Sequence, residues 1–294
     1  MISSFYNFIS FFIFIILYLF KDFLISPVLN CPHTINRKEI LMKNIILSAR
    51  GLCKSFAHNG GQIHILSHVD LDLYEGDFTV IMGASGSGKS TLLYALSGMD
   101  PASAGEILYA GKNLVNIKED ALCLLRHTDF GFIFQQIHLV SNLSLFENVA
   151  VPGYLNKKHS ATNVRKRAEE LLSKVNLSDV KTHLPFQVSG GEAQRCAIAR
   201  AIINNPKLLF ADEPTGALNR KNTLEVLDLL TRLNREGQSI LTVTHDIRVA
   251  LRATRLLYLS DGKIIGELSL SPYTPEQEKN RETQINSWLT SMEW

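Results

Sequence analysis

Nine residues, GASGSGKST from Gly83 to Thr91, carry the strongest chemical signal in the sequence. Their spacing is G-x-x-x-x-G-K-[ST], set between a short apolar run, FTVIM, and a stretch of helical character. Glycines at that spacing let successive backbone N–H groups turn inward around phosphate oxygens. Lys89 brings a compact positive charge to the outer phosphates, and the Ser90 hydroxyl is placed for Mg²⁺. Gly83, Ala84, Ser85, Gly86, Ser87, Gly88, Lys89, Ser90 and Thr91 are thus the expected cradle for a nucleoside triphosphate. A chance glycine-rich turn would need neither the strand before it nor the helix after it.

Three further apolar runs end on polar side chains. LLFADE, Leu208–Glu213, presents Asp212, a hard oxygen donor suited to Mg²⁺. Strand alternation then points Glu213 differently, where a carboxylate can polarise an attacking water as general base. Gln135 follows FGFIF and His245 follows ILTVT. In a parallel sheet such ends share one edge, and ligands gather there. Gln135 can offer its amide oxygen to the metal or the water, and His245 can donate to a γ-phosphate oxygen. A lone Asp-Glu pair reads as a solvated turn and a lone histidine as structural; behind a phosphate loop the functional reading gains.

The segment VSGGE, Val188–Glu192, opens a second helix and has no lysine beside it. Ser189 with Glu192 three residues on is a capping-box pattern. That accounts for the serine and the glutamate but not for Gly190 and Gly191, which permit close backbone approach to a phosphate.

Strands must carry these residues, and the chain supplies them. Ile45–Cys53 and Ile63–Tyr74 alternate like half-buried strands, and FTVIMG reads as a buried one, followed by a helix over Lys89–Ser97. Phe130–Gln135, Leu208–Glu213 and Ser239–His245 read as further buried strands, and a hairpin turns across Asp261-Gly262. The expected fold class is α/β: a P-loop NTPase core with a mostly parallel sheet, an antiparallel β subdomain and an inserted α-helical subdomain over about 145–204. Residues 42–270 form the expected ATPase domain and 271–294 a tail. In that tail Ile285, Trp288, Leu289 and Met292 fall at helical spacing, facing the core or a partner.

Composition narrows the classes. A formal charge of +2 over 294 residues gives no strongly basic face, so nucleic acid is not an expected partner. The four cysteines have no paired or metal-ligand spacing, which fits reduced thiols. Residues 1–41 differ from the rest. Met1 to Phe20 carries no charge, and seven of the fifteen phenylalanines precede residue 24. The run is long enough for a spanning helix, and the Lys and Arg residues after it would put the remainder in the cytoplasm. The other reading is a mis-assigned start, since Met42 begins MKNIILSARGLCKSF, a natural opening for a soluble domain.

The order of these motifs resembles the nucleotide-binding subunit of an ATP-binding cassette (ABC) transporter, over about residues 44–268 with further similarity in the tail. The resemblance implies that Gly83–Thr91 is the P-loop, Gln135 the Q-loop glutamine and Val188–Glu192 the signature. It further implies that Asp212 is the magnesium aspartate, Glu213 the catalytic glutamate, His245 the switch histidine and Phe56 an aromatic that stacks on adenine. As a lone aromatic Phe56 reads equally as core. Three departures stand out: Val188 for leucine, Glu192 for glutamine, and Asn219 for the commoner aspartate in a loop that crosses the family's dimer interface. SGMDPASAGEILYAGKNL, ENVAVP and ADEPTGALN resemble the macrolide-efflux, lipoprotein-release and bacitracin-resistance branch, and the tail KNRETQINSWLTSMEW most resembles the bacitracin-resistance type.

Such a resemblance implies an ATPase using ATP and Mg²⁺, peripheral at the cytoplasmic face of the membrane. It would work as a head-to-tail ATP-sandwich dimer with a separate integral membrane permease, for antimicrobial peptide resistance. Lipoprotein release, or signalling to a sensor kinase without transport, would use the same cassette.

Overall fold

The computed structural model describes residues 43–58, 61–292 and 294. The expectation of an anchor or mis-assigned start over 1–41 lies outside the described residues. Among the described residues no helix is long and apolar enough to cross a membrane.

In chain order, β1 (Ile45–His58) and β2 (Gly61–Tyr74) precede β3 (Phe78–Met82) and helix α1 (Lys89–Leu96). Strands β4 (Ala104–Tyr109) and β5 (Lys112–Asn113), helix α2 (Glu119–Thr128) and β6 (Phe130–Ile133) follow. The α-helices α3 (Leu145–Leu155), α4 (Ala161–Lys174) and α5 (Gly190–Ala201) lie between β6 and β7 (Leu208–Asp212). Then come α6 (Arg220–Arg235), β8 (Ser239–Val243), α7 (Ile247–Ala250), β9 (Arg255–Ser260), β10 (Lys263–Ser269) and α8 (Glu278–Ser291).

Two sheets result. One has six strands in the order β10-β9-β3-β8-β7-β6, parallel throughout except for the β9–β10 hairpin. The other has four antiparallel strands in the order β2-β1-β4-β5. Strands β3, β7 and β8 are buried at every position, as apolar runs covered on both faces must be. Alternation divides their side chains between two cores. Val80, Met82, Leu209 and Ala211 pack with α3 to α6 and α8, whereas Ile81, Phe210 and Val243 pack with α1 and the antiparallel sheet. In the tail, Ile285 and Leu289 of α8 are fully buried in the first of these cores.

The strands that carry polar ends stop short of the expected residues, at Ile133, Asp212 and Val243. At Glu213 the backbone enters the left-handed region (φ 44°), which no strand can continue through. Strand β1 runs beyond Cys53 to His58, because β2 pairs with it across several register shifts where the alternation has faded. The Asp261-Gly262 turn has φ of 46° and 70°, the twist a two-residue hairpin demands.

Candidate active site

At the carboxyl end of β3 the chain passes Leu259 of β9 so closely that a Cβ on Gly83 would lie 2.2 Å from the Leu259 carbonyl oxygen. Only glycine admits the loop there. Gly88 then enters α1 with φ 99° and no side-chain cap, which leaves the first N–H groups of the helix without a side-chain acceptor. The buried Lys89 ammonium donates to the carbonyls of Gly83 (2.9 Å) and Ala84 (2.8 Å). Burial pushes its pKa below the ordinary lysine value, against the pull of Glu213 and Asp212. Ser87 Oγ is buried with no hydrogen-bond partner among the described residues, an orphan in the middle of the cradle.

Asp212 closes β7, buried, with a donor on each oxygen. Ser90 Oγ reaches Oδ1 at 2.8 Å, and Tyr94 Oη reaches Oδ2 at 2.6 Å. Burial and this bond raise the Tyr94 pKa, so the phenol keeps its proton and remains a donor. Glu213 folds back onto β8. Its amide donates to the Val243 carbonyl at 3.0 Å, and Thr244 Oγ1 donates to its Oε2 at 2.9 Å. His245 Nδ1 meets Oε1 at 2.8 Å. Gln135 is exposed and lies against the loop after Glu213, its Nε2 3.1 Å from where a Gly216 Cβ would stand. A cavity of about 570 Å³ is lined by Glu213, Gly216, His245 and Arg248, together with Asn286 of α8.

The segment Val188–Glu192 stands apart. Ser189 caps α5 in a full capping box: Glu192 N–H donates to its Oγ at 3.3 Å, while Ser189 N–H and Oγ donate to Glu192 Oε2 at 2.8 and 2.7 Å. Among the described residues no hydrogen bond joins Ser189 or Glu192 to the phosphate loop. A Cβ on Gly191 would strike the Asn222 side chain at 2.4 Å, but one on Gly190 would meet nothing nearer than 3.8 Å. Within the chain Gly191 is crowded only by the Asn222 side chain, and Gly190 by nothing. The helix ties to the site at two places: Gln194 Nε2 donates to the Pro214 carbonyl at 2.9 Å, and Arg200 donates to the His138 (2.6 Å) and Ile137 (3.0 Å) carbonyls just beyond Gln135. Asn219 caps α6, accepting from Asn222 N–H at 2.9 Å, an acceptor role that aspartate fills equally well.

The family model described as ABC transporter matches residues 66–216, just over half of the chain. The chain belongs to the ABC transporter family. Macrolide export ATP-binding/permease protein MacB of Bradyrhizobium diazoefficiens is 42% identical over 226 residues, 77% of this chain and 34% of the relative. MacB 1/2 of Paracoccus denitrificans is 41% identical over 222 residues, 76% of this chain and 33% of the relative. The chain thus spans about a third of the length of these curated relatives. Among solved structures, the dimeric post-hydrolysis state of the ATP-binding cassette MJ0796 bound to ADP and Pi has a TM-score of 0.72 and 37% identity, covering 77% of this chain and all of that one. CbiO1 from Clostridium perfringens, part of the ABC transporter complex cbiONQ, has a TM-score of 0.70 and 27% identity, over 83% of this chain and 93% of that one.

The activity that goes with this ABC cassette is ATP hydrolysis, and the sheet edge brings Lys89, Ser90, Asp212, Glu213 and His245 together, with Gln135 set apart against Gly216. Ser90 and Asp212 offer hard oxygens 2.8 Å apart, a donor set that fits Mg²⁺. The orphaned Ser87 hydroxyl, the uncapped α1 and the glycine cradle fit a phosphate chain. Phe56 is 44% exposed, with the Lys54 ammonium 4.8 Å from its ring centroid, so it is not a core residue. Two site residues escaped sequence reasoning. Tyr94 follows Ser90 by four positions on α1, a spacing that puts both on one face. Thr244 stands beside His245 and carried no signal of its own.

Proposed function

We propose that the chain is the ATP-hydrolysing subunit of a two-copy assembly that drives a separate integral membrane permease from the cytoplasmic face. The observation that carries this is the paired acidic edge of the sheet. Asp212 is shared with Ser90 and Tyr94, Glu213 with Thr244 and His245, and both lie within electrostatic reach of Lys89. In this reading Lys89 leaves the loop carbonyls to neutralise the outer phosphates, and Glu213 takes a proton from the attacking water. His245 turns its imidazole toward the γ-phosphate, and Gln135 carries the state of the site to the permease. Ser90, Asp212 and Gln135 would hold Mg²⁺, which when bound supplies positive charge to the triphosphate oxygens.

The glycines of Val188–Glu192 support the two-copy arrangement. Gly190 is spared a side chain without any need inside the chain, which suits close approach of a phosphate held by the other copy. Phe56 is the proposed adenine platform. A groove of about 250 Å³ lined by Phe132, Phe134, His138, Pro152 and Arg200 suits an apolar helix of the permease. Glu213→Gln tests the chemistry: turnover should fall to a slow residual rate, readable only in single-turnover assays, while ATP binding and ATP-dependent dimerisation persist. Normal hydrolysis in that variant would reject the assignment.

For cargo we propose an antimicrobial peptide, on the resemblance of the tail. The macrolide-export names of the relatives favour a second reading, macrolide efflux. Deleting the chain should sensitise cells to peptide antibiotics and spare macrolide resistance; the reverse pattern selects the second reading.

A further inference from the structure

We propose that Thr244 is a positioning residue for hydrolysis, holding the Glu213 carboxylate at the angle from which it takes a proton from water. The inference rests on the reading of Glu213 as general base. Thr244 is wholly buried at the end of β8, directly before His245. Its Oγ1 accepts from Asp246 N–H at 3.0 Å and donates to Glu213 Oε2 at 2.9 Å. The backbone donor occupies one side of the hydroxyl, so its proton is directed at the carboxylate. An ordinary turn, in which a threonine oxygen accepts from the N–H two residues on, explains the first bond and not the second.

Glu213 needs such a restraint. Its φ of 44° is a conformation that a non-glycine residue keeps only where the surroundings fix it. Consecutive residues at the end of β8 provide that fixing: the Val243 carbonyl receives the Glu213 amide, and the Thr244 hydroxyl holds its carboxylate. His245, the partner of the other oxygen, has a side chain 67% exposed and free to swing. Thr244 is wholly buried, and the Asp246 N–H holds its oxygen in place. Once His245 turns to phosphate, the threonine is the contact that keeps Glu213 aimed.

The test compares Thr244→Val, which removes the hydroxyl at nearly constant shape, with Thr244→Ser, which restores it. Thr244→Val should lower kcat roughly ten- to hundredfold, the range expected for a lost hydrogen bond to a charged group. KM for ATP should stay within about twofold, and Thr244→Ser should recover most of the rate. In a Glu213→Gln background, single-turnover hydrolysis should show no further loss from Thr244→Val, because the carboxylate it aims is gone. Unchanged kcat in Thr244→Val, or an equal loss in both backgrounds, would overturn the proposal. Wild-type turnover in Glu213→Gln alone would instead bring down the general-base reading. Should Thr244→Val fail to fold, Thr244→Ala carries the same expectations.

Discussion

Helices α1 and α5 both begin at glycines, yet their first turns are finished in opposite ways. Gly88 starts α1 in the left-handed region with no side-chain cap, and an orphaned Ser87 hydroxyl and a buried ammonium stand beside it. Ser189 starts α5 with a complete capping box that ties up its own hydroxyl, its own N–H and the Glu192 N–H. Helix-start donors without a side-chain acceptor are left to water or a ligand, and beside a buried ammonium and the Ser87 hydroxyl they suit an anion. The start of α5 is satisfied within the chain. Whatever it does for phosphate depends on the bare flank of Gly190 and on N–H groups that the capping box leaves over.

The contrast can be broken most severely at α1. Lys89→Ala should cut kcat/KM for ATP by at least about a hundredfold, since it deletes the one cation of the cradle. Thermal unfolding of the nucleotide-free variant should change little or improve, because two loop carbonyls and the nearby carboxylates offset the burial of Lys89 only in part. A steady-state assay beside a melting curve checks both halves.

A middle-sized effect separates the two glycines of α5. Gly191→Ala should push the Asn222 side chain to another rotamer, at a loss of up to about 1 kcal/mol. Gly190→Ala should leave the melting temperature in place and still lose ATP-dependent dimerisation and turnover. Equal melting behaviour in the two variants would remove the distinction drawn between them.

The smallest effect lies in the cap itself. The bonds from the Ser189 hydroxyl and then its amide hold the Glu192 carboxyl below the usual carboxylate range. A carboxyl depressed in the fold stabilises above its unfolded pKa, and that contribution fades as pH falls through its lowered folded value. Glu192→Gln keeps an acceptor for the cap but cannot titrate. Unfolding measured from neutral to acid pH should therefore lose one small acid-sensitive component, well under about 1 kcal/mol at a site only half-buried.

Sequence legibility followed the range of the forces involved. The phosphate loop, the acidic pair and the capping box are local in the chain, so spacing alone located them. The buried strands announced themselves because a strand covered on both faces has to be apolar. Tyr94 and Thr244 were silent because their partners lie 118 and 31 positions away, and only the sheet brings them together. Strand ends were read a residue or two too long, since apolar patterning says nothing about the φ of 44° at Glu213. The outer half of β1 was missed for the opposite reason, as its pairing with β2 supplies what its own pattern lacks.

Arg200 gives α5 a mechanical property. The helix spans twelve residues, about 18 Å, as one unbroken rod. Ser189 stands at one tip, and near the other Arg200 grips the carbonyls of Ile137 and His138, two and three residues past Gln135. One guanidinium thus joins the helix that starts at the glycines to the segment bordering the apolar groove, with no loop between them.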